Sequence, residues 1–463
     1  MTAVEMSPKL VGSDPPPRRM PLFGLGKALR KHPFPAIPPQ AYQTPVLKVP
    51  TPGGQRFYVV SDPAGVKRIL LDHVANYPKT ERERRFFSAM FGDGLLSTDG
   101  DMWRAHRRTM APSFSPPSVA SYAPAMAACA EAFRQRWDQA PEGAEIDVAE
   151  AMTDLTLQII ARTMFSTDGA DVAGVVRGTM EKAMEQLDFN ILDILPVIGE
   201  HRFKARERRI EAIFAEMDGA IARMIAERQA DPEGGPQDLL ARLIAARDGE
   251  TGEGMSPKEI RDQVVTIFLA GHETTAATMC WLWYLLSQHP QVEARLHAEL
   301  DQVLGGRTPG HEDLAQLPYA RMVVDEALRV YPAAPGLSTR MALEADEICG
   351  VKIPKGAMIA VAPWIQHRHE ALWDDPGRFD PERFAPGVER PRFAYMPFGG
   401  GPKVCIGAQL AVTETLLILA TLAQRYSLAL RPGHEVEILQ KITMRPRGGL
   451  PMILRRRRRR RRR

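Results

Sequence analysis

Cysteine is scarce in this sequence: Cys129, Cys280, Cys349 and Cys405 are the four thiols in 463 residues, with no C-x-x-C pair and no regular spacing. That argues against a disulfide framework and a cysteine-rich zinc site, and it points to a reducing, cytoplasmic compartment in which each thiol is judged by its own surroundings. An interior Gly/Ser-rich or charged linker is also missing, so nothing divides the chain into independent units. Residues 1–44 are rich in proline and carry no continuous apolar stretch of the kind found in a signal peptide or membrane anchor. Nor is the body of the chain basic. The formal charge of +4 depends on the nine arginines 455–463, and without them the balance turns negative. Such a run reads as a solvated, disordered tail, and no nucleic acid is expected as a partner.

What is present suits a large buried core: 44% of residues are hydrophobic and 25% charged. The pattern predicts a Pro-rich arm over 1–44, a single mainly α domain with small β parts over 45–452, a basic tail over 453–463, and a monomer. Val46 to Val49 and Phe57 to Val60 flank Thr51-Pro-Gly-Gly54 and read as a β-hairpin. Asp62-Pro63 supplies an N-cap and a first-turn proline for a helix through Ile69, Leu70 and Leu71. Helical patterns dominate residues 118–288, and β-prone runs around a Pro354-Lys355-Gly356 turn replace them over 339–361.

The longest predicted helix starts at the capping box Ser256-Pro257-Lys258-Glu259 and stops at His289-Pro290. Its centre is apolar almost all round, as a helix buried on every side should be. A membrane span is disfavoured, because Glu273 at its midpoint would cost about 3 kcal/mol in lipid. Inside a protein Glu273 still needs an explanation, since an unpaired buried charge costs several kcal/mol. Either a cation from elsewhere pairs with it, or it handles protons together with His272, Thr274 and Thr275. Just before it, Ala270-Gly271 would let a flat ligand approach the helix backbone.

Toward the C-terminus the chain reads Phe398-Gly-Gly-Gly-Pro-Lys-Val-Cys-Ile-Gly407, then an apolar helix over 411–422. The glycines permit tight turns, and backbone N–H groups at a helix N-terminus stabilise a thiolate, so Cys405 suits a metal ligand better than an inert core thiol. A phosphate loop does not fit, because Lys403 precedes the cysteine and no G-K-[ST] follows.

The Phe-x-x-Gly-x-basic-x-Cys-x-Gly pattern resembles the haem-binding loop of the cytochrome P450 family. Four further stretches agree in family order. Ala270-Gly-His-Glu-Thr-Thr275 is similar to the oxygen-activation segment, with Glu273 and Thr274 as its acid–alcohol pair. Glu326-Ala-Leu-Arg329 resembles the E-x-x-R helix, and Asp380-Pro-Glu-Arg-Phe384 the loop whose arginine, here Arg383, completes a triad with Glu326 and Arg329. Gly100-Asp-Met-Trp-Arg-Ala-His-Arg-Arg108 is similar to the helix that meets the haem propionates, which implies that role for Trp103 and Arg107. Arg340 matches another propionate position. Lys403 stands where the family usually has Arg or His, so charge is kept while the planar fork is lost.

The resemblance implies a cytochrome P450 fold around a buried haem b, with Cys405 as axial metal ligand and Phe398, Gly401, Gly407, Ala270 and Gly271 around the cofactor. It implies a monooxygenase that hydroxylates a lipophilic small molecule with oxygen from dioxygen. The two rivals are a peroxide-driven peroxygenase and a non-catalytic haem sensor or carrier. Only a short tail follows residue 450, so electrons are expected from a separate ferredoxin or flavodoxin with its NAD(P)H-dependent reductase. Residues 85–96 resemble the substrate-covering loop of the family's fatty-acid hydroxylases, which makes Phe87, Met90 and Phe91 candidate pocket residues.

Overall fold

The computed structural model describes residues 10–12, 37–51, 54–166, 170–186, 196–231 and 238–457. Seven helices carry the argument that follows: α1 (Glu81–Phe91), α2 (Gly100–Met110), α3 (Pro116–Gln139), α4 (Val148–Phe165), α5 (Pro257–Gln288), α6 (Pro318–Val330) and α7 (Ala408–Ala423). The strands used below are β1 (Val46–Val49), β2 (Phe57–Val60), β3 (Glu145–Asp147), β4 (Arg340–Met341), β5 (Met358–Ala360), β6 (Tyr426–Leu430) and β7 (Pro451–Arg456). The fold is mainly α, with the strands gathered into small sheets at its edge.

Helix α5 runs through the core. Ser256 Oγ accepts from the Glu259 N–H at 3.2 Å while the Ser256 N–H donates to Glu259 Oε2 at 2.8 Å, so two orphan donors at the helix start are satisfied reciprocally. Its 32 residues span about 48 Å. Almost every side chain from Ile260 to Leu286 is buried, and α4 makes the broadest contact with it. Phe165 of α4 stacks on Phe268 at 4.1 Å, and Trp281 stacks on Tyr331 at 4.2 Å while its indole N–H donates to the Met444 carbonyl. Among the described residues no helix is long and apolar enough to cross a membrane.

The expected hairpin forms with Val46 opposite Val60 and Val49 opposite Phe57. β2 then pairs in parallel with β5, and β4 closes the sheet antiparallel to β5, so Arg340 stands beside Ile359. Asp62 caps Pro63–Lys67 by accepting from Ala64 N–H at 2.8 Å, and the helix continues as a π-helical turn over Arg68–Asp72. Strand β3, inside the stretch read as helical, was not foreseen.

Both boundaries of the domain differ from the sequence reading. Pro39–Tyr42 forms a 3₁₀ turn whose Ala41 and Tyr42 are buried, Leu10 is buried, and the Tyr331 hydroxyl donates to the Val11 carbonyl at 2.9 Å. These parts of the predicted arm pack on the domain because apolar side chains recur within the proline-rich stretch. At the other end, β7 continues to Arg456 against β6, and Arg457 donates to Asp301 at 2.8 Å and to the carbonyls of Ala423 and Gln424. Carboxylates and open carbonyls thus hold residues that the charge run assigned to a solvated tail. The rest of the predicted arm and residues 458–463 lie outside the described residues.

Candidate active site

A cavity of about 1510 Å³ opens between α5, α7, α1 and the sheet. The loop before α7 forms part of its wall. Cys405 N–H donates to the Phe398 carbonyl at 2.9 Å, and its side chain faces the cavity interior. Burial within the fold pushes the thiol pKa up, while the Gly407 backbone N–H and the Arg107 guanidinium pull it down. Both are contacts that favour a thiolate. Phe398 and Gly407 line the cavity as expected. Gly401 does not. Its φ is +69°, and a Cβ there would collide with the Leu70 carbonyl oxygen of the π-helical turn, so this glycine serves the packing of the loop.

One side of the cavity is cationic. Trp103, Arg107, Arg340 and Lys403 all line it, as does Lys79, which the sequence reading missed. Arg107 Nη1 donates to the Val404 carbonyl at 2.8 Å, which ties α2 to the cysteine loop. Lys403 lies over the Trp103 ring at 5.5 Å and pairs with Asp99. Burial would raise the Asp99 pKa, but the Lys403 ammonium and the N–H groups of Lys79 and Gly100 together bring it down to about 2. Lys79 is lowered to about 8 by burial and by the nearby Lys403. Glu83, whose Oε2 accepts from Thr339 N–H at 2.7 Å, is pushed up by its own burial. The wall therefore holds an excess of positive charge. Arg340 is buried, and its Nε has no hydrogen-bond partner among the described residues.

Across the cavity, α5 presents Ala270, Gly271, Glu273, Thr274 and Thr275. The space in front of the Gly271 Cα belongs to α4: a Cβ would come within 2.7 Å of Ile160 Cδ1, so this glycine admits the neighbouring helix rather than a ligand. Ala270 is the small residue on the open side. Glu273 has a partner, and among the described residues it is no cation: the Thr443 hydroxyl donates to its Oε1 at 2.6 Å. Thr274 donates to the Ala270 carbonyl at 2.8 Å. His272 is turned away and buried, with Nδ1 2.6 Å from the Phe268 carbonyl. A second carboxylate, Glu414 of α7, also reaches the cavity, 3.5 Å from the Thr275 hydroxyl. A lone carboxylate in an apolar helix was the available signal for it, the same signal that singled out Glu273.

Glu326 and Arg329 are both fully buried and joined by two hydrogen bonds of 2.6 and 2.8 Å. Arg383 Nε lies 3.5 Å from Glu326 Oε1. This cluster is away from the cavity and ties α6 to the loop around residues 376–383 through the Pro376 and Arg378 carbonyls. Of the candidate pocket residues, Phe87 and Phe91 line the cavity, stacked at 5.9 Å, and Phe86 joins them. Met90 does not: it lies on the flank of α1 that turns into the core and is fully buried there.

The residues present fit a haem. A thiol faces the cavity beside a helix N-terminus, and the cationic wall, with a donor of Arg340 to spare, suits two propionates. Comparison with known proteins agrees. A profile of the cytochrome P450 family matches residues 15–451. Cyclooctatin synthase of Streptomyces melanosporofaciens is 36% identical over 83% of this chain and 83% of its own length. The cyclooctat-9-en-7-ol 5-monooxygenase of the same organism is 35% identical over 90% of each chain. The crystal structure of the cytochrome P450DA heme domain superposes with a TM-score of 0.81, at 28% identity and over 96% of this chain and 97% of that one. With the cysteine loop, the α5 segment and the α2 motif gathered around one cavity and its length matched nearly end to end, the chain belongs to the cytochrome P450 family: it is a haem b-dependent monooxygenase.

Proposed function

We propose that the enzyme hydroxylates an apolar carbocyclic molecule, of the class named in its cyclooctat-9-en-7-ol 5-monooxygenase relative. The observation that carries this reading is that Cys405 faces the same cavity as Glu273 and Thr274, with a wall of Phe86, Phe87, Phe91 and Ile267 beside them. Such a wall favours a hydrocarbon skeleton and offers few polar anchors. Haem ligated by the Cys405 thiolate supplies the activation of dioxygen, through which one oxygen atom enters the substrate and the other leaves as water. The protein's own part is positional. Trp103, Arg107, Arg340, Lys79 and Lys403 would hold the propionates and so fix the cofactor in register with α5. Glu273, kept in place by Thr443, and Thr274, on the cavity side of the helix, would pass protons to the reacting oxygen. That pair favours a dioxygen route over use of added peroxide, and a sensor or carrier has no need of it.

Electrons would come from a ferredoxin or flavodoxin with its NAD(P)H-dependent reductase. The cysteine loop supports this, because Pro402 and Gln409 on either side of Cys405 are exposed, and Arg104 adds an exposed cation near Lys403. All four thiols are unpaired, which supports a cytoplasmic setting.

The test is Cys405→Ala. The wild-type protein, reduced and bound to carbon monoxide, should give the thiolate-type haem spectrum, and the variant should lose it or fail to retain haem. The three other thiols cannot substitute, since Cys129 and Cys280 are buried away from the cavity and the exposed Cys349 does not line it. A variant with an unchanged spectrum would show the assignment of Cys405 to be wrong.

A further inference from the structure

We infer that the outer face of the sheet carries a second binding site, a cationic cleft that takes a small phosphorylated anion. The site goes beyond the monooxygenase reading and does not depend on it. The cleft, of about 420 Å³, is lined by Lys48 of β1, by Arg56 and Tyr58 at the start of β2, and by Asp346 and Lys352 of the hairpin over 346–353. The pleat separates it from the haem cavity. Side chains alternate across a strand, and Val49, Phe57 and Val59 line the large cavity while Lys48, Arg56 and Tyr58 line the cleft. Lys48 and Tyr58 are register partners across β1 and β2, and Arg56 stands two residues before Tyr58, so the three share one face.

Charge in the cleft is unbalanced. Its carboxylate, Asp346, is already engaged: it accepts from Arg68 Nε at 3.0 Å and from the Tyr77 hydroxyl at 2.7 Å, and these contacts hold its carboxyl well below the usual carboxylate range. Other lysines of this region find carboxylates, Lys67 with Asp72 at 2.9 Å and Lys355 with Glu344 at 2.8 Å. Lys48, Arg56 and Lys352 pair with none among the described residues, and even Glu347, opposite Lys352 in the hairpin, forms no ion pair with it. Like charges that converge on one concavity repel, so the cleft gains when an anion enters. Tyr58 is the second observation. Its ring belongs to the small core under the hairpin and the residue is 4% exposed, yet its hydroxyl has no hydrogen-bond partner among the described residues. A phenol held at that depth needs an acceptor.

The donor set selects the ligand. A guanidinium fork, two ammonium groups and a phenol hydroxyl can all donate, and three of these groups are cationic. A carboxylate brings one negative charge and two oxygens, whereas a phosphoryl group brings nearly two charges and three oxygens, the better match to this wall. Depth limits size: the Tyr58 hydroxyl is reached by a group that enters the cleft, and the broad surface of a folded acidic protein does not. Ile353 and Pro354 complete the lining and leave an apolar side for a small organic group carried by the phosphoryl. Once bound, the anion ties the β1–β2 ribbon to the hairpin.

The experiment titrates inorganic pyrophosphate into the holoenzyme by calorimetry, in a phosphate-free buffer of constant ionic strength. The wild type should bind with a Kd of about 1 mM or tighter. Arg56→Gln and Lys352→Gln should each weaken binding about tenfold, the loss expected for one hydrogen bond to a charged group. Tyr58→Phe leaves every charge in place and should also cost about tenfold, which attraction to the C-terminal arginines would not show. Acetate should bind at least about tenfold more weakly than pyrophosphate. Adenosine monophosphate, titrated beside pyrophosphate, separates the sources: tighter binding of the nucleotide supports an organic phosphate on the apolar side, and tighter binding of pyrophosphate supports a free inorganic anion. The reduced carbon monoxide spectrum of each variant should match the wild type, because the substituted side chains lie on the face away from the haem cavity. No binding to the wild type up to about 10 mM, affinity unchanged in Tyr58→Phe and the two charge variants, or acetate bound as tightly as pyrophosphate would overturn the site.

Discussion

Asp99 shows how much of a binding wall depends on a residue that never touches the cavity. It lies at the start of α2, accepts from the N–H groups of Gly100 and Lys79, and holds the ammonium of Lys403. Replacing it by Asn keeps a cap but strands Lys403, and we expect a stability loss of about 1–3 kcal/mol, toward the lower end because the site is partly solvated. The pH dependence has a definite sign. Asp99 sits at about 2 in the folded chain, below its ordinary value near 3.9. Its stabilisation is therefore complete above about pH 4 and is lost as pH falls toward 2. Urea midpoints of wild type and Asp99→Asn should converge over that window, and a constant gap down to pH 2 would remove Asp99 from the account. Neither Asp99 nor Lys79 was legible in the sequence, because their partners come from segments without shared spacing. Cys405, Glu273 and Arg107 were legible, because each sits at a fixed offset from glycine, threonine or tryptophan within one short element.

At the scale of elements, the sequence was most informative where one helix carries its own boundary chemistry. The Ser256–Glu259 box and the proline after His289 gave both ends of α5, and the i, i+3 spacing put Glu326 and Arg329 on one face of α6. Spacing left their depth open, since an exposed pair reads the same way. The structure shows both at 0% side-chain exposure, with Arg329 also donating to the His367, Pro376 and Arg378 carbonyls. Glu326 in turn accepts from Asp380 N–H. Glu326→Ala would leave a buried guanidinium without its carboxylate and free the loop that follows, a loss of about 3–5 kcal/mol. The expected outcome is a low yield of folded protein and sub-stoichiometric haem, read from the ratio of haem absorbance to protein. A variant with normal yield, haem content and melting temperature would mean that the cluster is dispensable for the fold.

Across the whole molecule, β7 joins parts of the chain that lie far apart in sequence. It pairs with β3 on one edge and β6 on the other, and its last residues reach back to the end of α3. Arg456 donates to the Asp138 and Ala140 carbonyls, and Arg457 binds Asp301. The first arginines of the run do not stay solvated, because like charges repel only until acceptors are brought to them, and the acceptors at Asp138, Ala140 and Asp301 are more than 150 positions away along the chain. A chain ending at Leu454 would lose the Arg455–Ser427 and Arg456–Tyr426 pairs and the Arg457–Asp301 contact, whereas one ending at Arg457 would keep them. Partly exposed ion pairs and edge hydrogen bonds contribute about 1 kcal/mol together in net terms. The shorter chain should therefore melt about 1 °C below the longer one. The cavity is lined by other segments, so both should give the same reduced carbon monoxide spectrum. Equal melting temperatures would show that the sheet closes without these arginines, and a spectral change confined to the shorter chain would show that β7 shapes the haem site as well.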